Sequence, residues 1–278
     1  LKVSDQFSVG GGPIYVSGSV EFNRNVGRSI TDENGNKTDV TIDASGVNAW
    51  GWSAGFMFNP TNNIRLGLNY RSEITMKARN GDATFHDVPA YLADSPTSAA
   101  DLQLGNTRFN ANLPLPAELT AGISWQVNEK WLVAFDYNRT FWNVYDALVV
   151  DFIHTPTSQV PQSNNPRNYK DSSTYRVGVQ FKPNSKFSFR AGTYFDESPV
   201  QDGYFAPETP RNDSVGFTGG LTYMLTSKLG VDVSFLYLHF KEVNASYNYF
   251  TEEGTAVPFG GTYKNVVFSP GIGLSYSF

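Results

Sequence analysis

Three histidines, His86, His154 and His239, are the side chains of this sequence best suited to proton transfer near neutral pH, so they test first whether it encodes an enzyme. A serine hydrolase needs a histidine within reach of both a serine and an acid. His86 and His154 fall in connections between apolar segments. His239 falls on the apolar parity of an alternating segment, with no evident serine and acid to complete a triad. There is no cysteine, which removes thiol nucleophiles, disulfides and zinc ribbons together. No H-E-x-x-H pair and no phosphate-cradling glycine loop occurs, and the Gly10–Gly12 run suits close packing or open space beside a strand. The Asn138-Arg139-Thr140 sequon lies inside a strand and carries no expected role. No catalysis, cofactor or metal is expected.

The remaining chemistry belongs to charges. Arg71, Glu73, Asp136, Arg190 and Asp196 share the polar parity of their segments. On an enclosed face such charges must be paired or hydrated, so structural ion pairs are the expectation. Arg24 differs, because Ile14, Val16, Val20 and Phe22 share its parity. If that face points inward, Arg24 crowns an apolar wall. If a bulge resets the parity, the same residues point outward.

The elements that must position these groups are strands. Ile64, Leu66, Leu68, Tyr70, Ile74 and Met76 alternate with Arg65, Asn69, Arg71, Glu73 and Thr75, giving one greasy and one wet face. Trp131 to Phe141, Leu229 to Tyr237 and Val266 to Phe278 repeat the pattern. About ten strands are read, near 7–24, 48–58, 64–77, 115–126, 131–150, 173–182, 187–197, 213–225, 229–244 and 264–278. Their connections alternate in length. Short turns fall at Asn59–Asn63, Val127–Lys130, Lys182–Lys186 and Thr226–Lys228, with Val3–Gln6 as a fifth. Long polar connections fall at 25–47, 78–114, 151–172, 198–212 and 245–263. Short turns on one side and long loops on the other characterise outer-membrane barrels, and most of these strands reach the roughly ten residues a tilted crossing needs.

Composition agrees. The 278 residues include 21 Phe, 15 Tyr and 25 Gly, yet mean hydropathy is −0.33. No apolar run approaches the ~18 residues of a membrane-spanning helix. A net charge of −5 argues against a nucleic-acid partner. A soluble barrel or sandwich would turn its bulky set inward. Here the expected inner set is Gly, Ser, Thr, Asp and Arg, and aromatics gather near strand ends (Trp50, Trp52, Trp125, Trp131, Tyr223, Tyr237) as interfacial girdles do. Phe278 closes an alternating strand, as in the terminal assembly signal of many barrels. The fold class is therefore an all-β, transmembrane antiparallel β-barrel, with the five polar-parity charges in its lumen. No signal peptide is read at the start, as expected of an internal or processed piece.

Several segments carry a resemblance. They are 190–200 (Arg-Ala-Gly-Thr-Tyr-Phe-Asp-Glu-Ser-Pro-Val) with Pro207 and Pro210 beyond it, 68–73 (Leu-Asn-Tyr-Arg-Ser-Glu) and 113–116 (Leu-Pro-Leu-Pro). A further one is Phe135–Trp142, after the Asn-Glu-Lys-Trp turn at 128–131. In one order across essentially the whole chain, these segments resemble the FadL-type long-chain fatty-acid transporters, a family that includes carriers of toluene and related hydrocarbons. The resemblance implies a fourteen-stranded monomeric barrel plugged by an N-terminal hatch. Residues 1–278 then form the C-terminal part of that single domain, with the hatch, the first four strands and a kinked third strand used for lateral release absent. Ten strands alone leave two unpaired edges in lipid, so the chain is expected not to be a complete folding unit.

The implied function is transport across the Gram-negative outer membrane, amid lipid and lipopolysaccharide, by loop capture, binding in a lumen pocket and lateral release. A long-chain fatty acid is the expected ligand. A monoaromatic hydrocarbon is the first alternative, and a surface receptor or structural barrel that carries nothing is the second. By the family comparison Arg24 takes the place of an arginine that contacts the ligand head. Arg167, or failing it Lys170, takes that of a second basic contact. In the 78–114 connection, Phe85, Val88, Tyr91, Leu92, Leu102 and Leu104 suit either an outer capture groove or an ordinary loop covering its own apolar side chains.

Overall fold

The computed structural model describes residues 1–26, 30–92, 105–153, 162–207, 209–252 and 255–277. Strands dominate, and among the described residues the only helical piece is one 3-10 turn at Trp142–Val144. The strands are β1 (Phe7–Asn25), β2 (Asp39–Thr61), β3 (Ile64–Arg71), β4 (Ile74–His86), β5 (Thr107–Leu115), β6 (Glu118–Gln126) and β7 (Trp131–Thr140). They continue as β8 (Ala147–Ile153), β9 (Gln162–Pro166), β10 (Ser172–Phe181), β11 (Phe187–Asp196), β12 (Ser214–Met224) and β13 (Leu229–Phe240). Two small hairpins follow, β14 (Val243–Tyr247) with β17 (Phe259–Tyr263) and β15 (Thr251–Glu252) with β16 (Thr255–Ala256), before the last strand, β18 (Val266–Tyr276).

Fourteen strands, β1 to β13 and β18, form one antiparallel sheet. In β3/β4, β5/β6, β7/β8 and β9/β10, two short strands are halves of a single crossing, so the sheet makes ten crossings. Its lower part runs β1-β2-β3-β6-β7-β10-β11-β12-β13-β18, and its upper part runs β1-β2-β4-β5-β8-β9. Among the described residues β1 pairs only with β2, and β18 only with β13.

Each short connection is closed by the same local chemistry. A Ser, Thr or Asn oxygen accepts the backbone N–H groups two and three residues ahead, which reverses the chain without long-range help. Ser4 takes Gln6 and Phe7, Thr61 takes Asn63 and Ile64, and Asn128 takes Lys130 and Trp131 at 2.9 and 3.1 Å. Asn184 takes Lys186 and Phe187, and Thr226 takes Lys228 and Leu229.

Below the long loops, the two faces follow the alternation. The outer face is bulky and exposed, with Ile272 at 83% and Leu274 at 76%. Its aromatics form two bands. Near the short turns, Trp131 stacks on Phe181 at 4.3 Å and Phe187 packs on Tyr223 at 4.9 Å. Nearer the loops come Tyr15–Trp50, Trp52–Tyr70 and Tyr137–Tyr175. The inner face is small and polar, and several of its charges are bonded. Arg71 meets Glu118 at 3.0 Å, and Arg211 meets Asp196 at 2.7 Å. Arg190 donates to Gln180 at 3.1 Å and to Thr222 at 2.8 Å. Asp136 stands level with Arg176 and over Gly122, where an added Cβ would strike its carboxylate.

Higher up, the polarity inverts. The crossings break at 72–73, 116–117, 141–146 and 167–171, which lets the chain change the face it presents. Extra residues in two strands do the same. One is in β2 at Gly46 (φ 68°) and one in β4 at Asn80 (φ 53°), each beside a register shift. Above this belt the inner face carries Ala44, Val47, Ala78, Ala83, Phe109 and Val150, all buried as one cluster. The outer face carries Glu73, Thr75, Arg79, Asn110 and Asp151.

Several expectations are corrected by this belt. Residues 64–77 are not one strand with one greasy face. Tyr70 packs outward on Trp52, whereas Ile74 is 1% exposed and Met76 faces inward. Glu73 is consequently not a lumen charge and lies on the outer face near Arg79 and Asp151. The 131–150 strand is broken. The 25–47 and 78–114 connections shorten because β2 begins at Asp39 and β4 runs on to His86. Leu102, Leu104 and His154 lie outside the described residues.

Ser72 holds the first break together. Its N–H donates to the Trp52 carbonyl at 2.9 Å, and its hydroxyl accepts the Trp52 N–H at 3.0 Å. Ser72→Ala orphans that N–H in a wall without water and is expected to cost about 1–3 kcal/mol, read from the urea midpoint of the refolded barrel.

Candidate ligand-binding site

The inverted region encloses a cavity of about 450 Å³. Val20, Phe22 and Arg24 enter from β1, Val40, Ile42 and Val47 from β2, and Met76 and Ala78 from β4. Phe109, Ala111 and Leu113 of β5 and Leu148, Val150 and Phe152 of β8 form the opposite wall. Ser163, Asn165 and Arg167 close it from β9 and the residue beyond. The walls are mainly apolar, and Ser19, Glu21, Asn112, Tyr145 and Thr209 complete the lining. Two guanidiniums are the cations among the lining residues.

The parity of β1 survives the register shift near Gly18, because the extra residue belongs to β2. Tyr15 therefore faces outward against Trp50, while Val20, Phe22 and Arg24 face the cavity. Ile14 and Val16 share that inward face but sit below the cavity and do not line it. Arg24 Nη1 donates to Asn165 Oδ1 at 2.7 Å across 141 residues of sequence, drawing β1 against β9 and closing the curl of the upper sheet. Arg167 is 2% exposed, and its backbone N–H bonds to the Asp146 carbonyl at 2.6 Å. Lys170 is exposed and does not line the cavity; its backbone N–H reaches the Pro199 carbonyl.

Sequence reasoning missed Asn165, Tyr145, Tyr247 and Phe250. Tyr247 and Phe250 come from the hairpin at 243–263, whose rings lie 5.5 Å from the Arg167 guanidinium and 5.8 Å from that of Arg24. No local signal marks them, since their partners are remote in sequence. A second chamber of about 500 Å³ adjoins the first at Tyr145 and Thr209 and is walled by Trp142, Tyr169, Tyr194, Pro199, Leu238 and Phe240. Neither described histidine lines either cavity. His86 is exposed at the end of β4, and His239 lies on the outer face opposite Val266. Among the described residues no group of three His, Cys, Asp or Glu stands as a metal site.

Chemically, a mainly apolar cavity with two cations in its lining suits an amphiphile with an anionic head. A greasy outer surface, aromatic bands, short turns at one end and long loops at the other define a transmembrane β-barrel wall of the outer-membrane type. The chain belongs to the outer membrane protein transport protein family (OMPP1/FadL/TodX), whose family model matches residues 1–278.

Its relatives include the long-chain fatty acid transport protein of Escherichia coli K12, 26% identical over 240 residues, covering 83% of this chain and 52% of the relative. Outer membrane protein P1 of Haemophilus influenzae is 25% identical over 308 aligned residues, covering 100% of this chain and 63% of the relative. The fold is shared with a Pseudomonas aeruginosa FadL homologue at a TM-score of 0.77 and 22% identity, covering 99% of this chain and 65% of that one. It is also shared with the Ralstonia pickettii toluene transporter TbuX at 0.60 and 20%, covering 99% and 64%. The chain thus spans between about half and two thirds of the length of these proteins.

Proposed function

We propose that this chain forms the ligand-binding wall of an outer-membrane transporter for long-chain fatty acids. Ligand is captured on the loops, bound in the lumen cavity with its carboxylate toward Arg24 and Arg167, and released sideways into the membrane. The observation that carries this reading is the placing of two arginines on one predominantly apolar cavity, with Glu21 the one acidic residue in its lining. A hydrocarbon has no charged group for a guanidinium in the cavity lining to bind, whereas a carboxylate accepts its hydrogen bonds. A receptor or structural barrel has no use for an enclosed apolar cavity. The E. coli relative is named for long-chain fatty acid transport, which favours the same ligand over the toluene-type alternative.

The test is uptake by cells that lack their own transporter and express the full-length gene. Labelled oleate and toluene are followed in parallel. Saturable oleate uptake is expected. Toluene uptake alone would move the protein to the hydrocarbon branch, and uptake of neither, with the barrel inserted, would leave the receptor or structural reading.

A further inference from the structure

The sheet splits between β5 and β8. Their ladder covers only residues 108–111 of β5 opposite 150–153 of β8. Lower down, among the described residues, 112–115 pair only with β4 and 147–149 only with β9. The wall closes again where the Phe141 N–H donates to the Ala117 carbonyl at 3.0 Å, at the start of the β6–β7 ladder. The cause is local. Pro114 and Pro116 bring no N–H to one side, and the 3-10 turn at Trp142–Val144 leaves strand geometry on the other.

This slot stands between two chambers. On the inside, Leu113 and Leu148 line the arginine cavity. On the outside, Pro114, Val144 and Ala147 line a groove of about 550 Å³, and Ala111 and Asn112 line both. Leu113 is 42% exposed, whereas Phe109 and Val150, on the same two strands and in the same cavity wall, are 0% and 7% exposed. Unpaired strand edges do not stand in hydrocarbon, because nothing there meets their N–H and C=O groups. The groove is polar, with Glu73, Thr75, Arg79 and Asp146 in its walls. The slot therefore opens at the level of lipid headgroups, just above the aromatic band that holds Trp52, Tyr70 and Tyr137.

From this geometry we infer that the slot is a side entrance, through which a single-chain amphiphile passes from the outer headgroup layer into the arginine cavity. The step rests on the fatty-acid reading above. An amphiphile in that layer already lies with its head level with the slot. An acyl chain threading it slides along Leu113, Pro114, Val144 and Ala147, and so exposes little apolar surface to water on the way.

The experiment closes the slot. The 278 residues contain no cysteine, so Pro114→Cys with Ala147→Cys in the full-length protein places one thiol on each rim. Neither residue lines the arginine cavity. A bismaleimide joins the two thiols, and binding of labelled oleate in detergent is followed both by rate and at equilibrium. Blocking a path raises its barrier without altering the end states. Association and dissociation are therefore both expected to slow by at least about tenfold, the effect of about 1.4 kcal/mol on the barrier, at unchanged Kd. The unbridged variant is expected to match wild type. Ala147→Trp fills the outer mouth and provides an independent arm, with the same expected signature, if the bridge does not form. Unchanged rates in the closed protein would overturn the inference, since ligand would then enter past the loops. A weakened Kd with an unchanged association rate would overturn it too, because the change would act on the cavity and not on the way in. Unbridged protein that does not bind oleate would instead overturn the fatty-acid reading itself, and the entrance with it.

Discussion

Arg24→Ala is expected to weaken saturable oleate uptake by about ten- to a hundredfold while leaving any toluene uptake unchanged. A hydrogen bond to a charged group contributes about 1.5–3 kcal/mol, and each 1.4 kcal/mol is a factor of ten in affinity. Arg24 stands on the inward face of β1, tied to Asn165 at 2.7 Å, with the Phe250 ring over its guanidinium. Its remaining donors are available to an anion in the cavity. Arg24→Lys keeps the charge and loses the planar fork, so it is expected to fall between wild type and alanine. The result that would sink this assignment is a parallel loss of oleate and toluene. Arg24 would then matter for drawing β1 against β9 and closing the cavity, not for the ligand head. Arg167→Ala is a harsher change, because Arg167 is 2% exposed and packs on Tyr247, so its effect on folding must be separated from its effect on binding.

Phe109→Ala is expected to destabilise the protein by about 3–5 kcal/mol, the usual range for emptying a fully buried aromatic site. Phe109 is 0% exposed and forms the centre of the buried cluster with Ala44, Ala83 and Val150. Its ring lies where a Cβ on Gly81 would fall, so ring and glycine fit each other as a pair. Phe109→Leu keeps most of the volume and is expected to cost less than about 1.5 kcal/mol. Urea unfolding in lipid vesicles reads both. Phe109 also lines the cavity, so the alanine variant is expected to admit bulkier tails than wild type. A loss below about 1 kcal/mol for alanine would show that the upper sheet relaxes into the space, and that the cavity is not rigidly bounded.

Much of the scaffold was legible because its signals are local. Ser4, Thr61, Asn128, Asn184 and Thr226 each close a turn with the next three residues, so the five short connections are readable without knowing the fold. Period-two alternation in β7 and β10 to β13 states which residues share a face, and the structure agrees there because those strands are unbroken. Arg24 and its apolar companions were also visible, since β1 runs from Phe7 to Asn25 without an insertion of its own.

The site as a whole was not legible. A single extra residue exchanges the two faces of a strand, and Gly46 and Asn80 each mark such a residue. Breaks at 72–73 and 116–117 do the same, so Tyr70 and Ile74, alike in parity, end on opposite sides of the wall. Phe109 and Val40, in segments read as loops, become walls of the cavity for the same reason. The sequence by itself determined an alternating, up-and-down membrane sheet, its turns and the shared parity of Val20, Phe22 and Arg24, because each depends on neighbours a few residues apart; which way that face of β1 points was left open. Only the tertiary structure decided that the sheet inverts its polarity above the belt of breaks and bulges and curls until Arg24 meets Asn165. Only there does a remote hairpin lay Tyr247 and Phe250 over the two guanidiniums, because those contacts join residues that no local pattern connects.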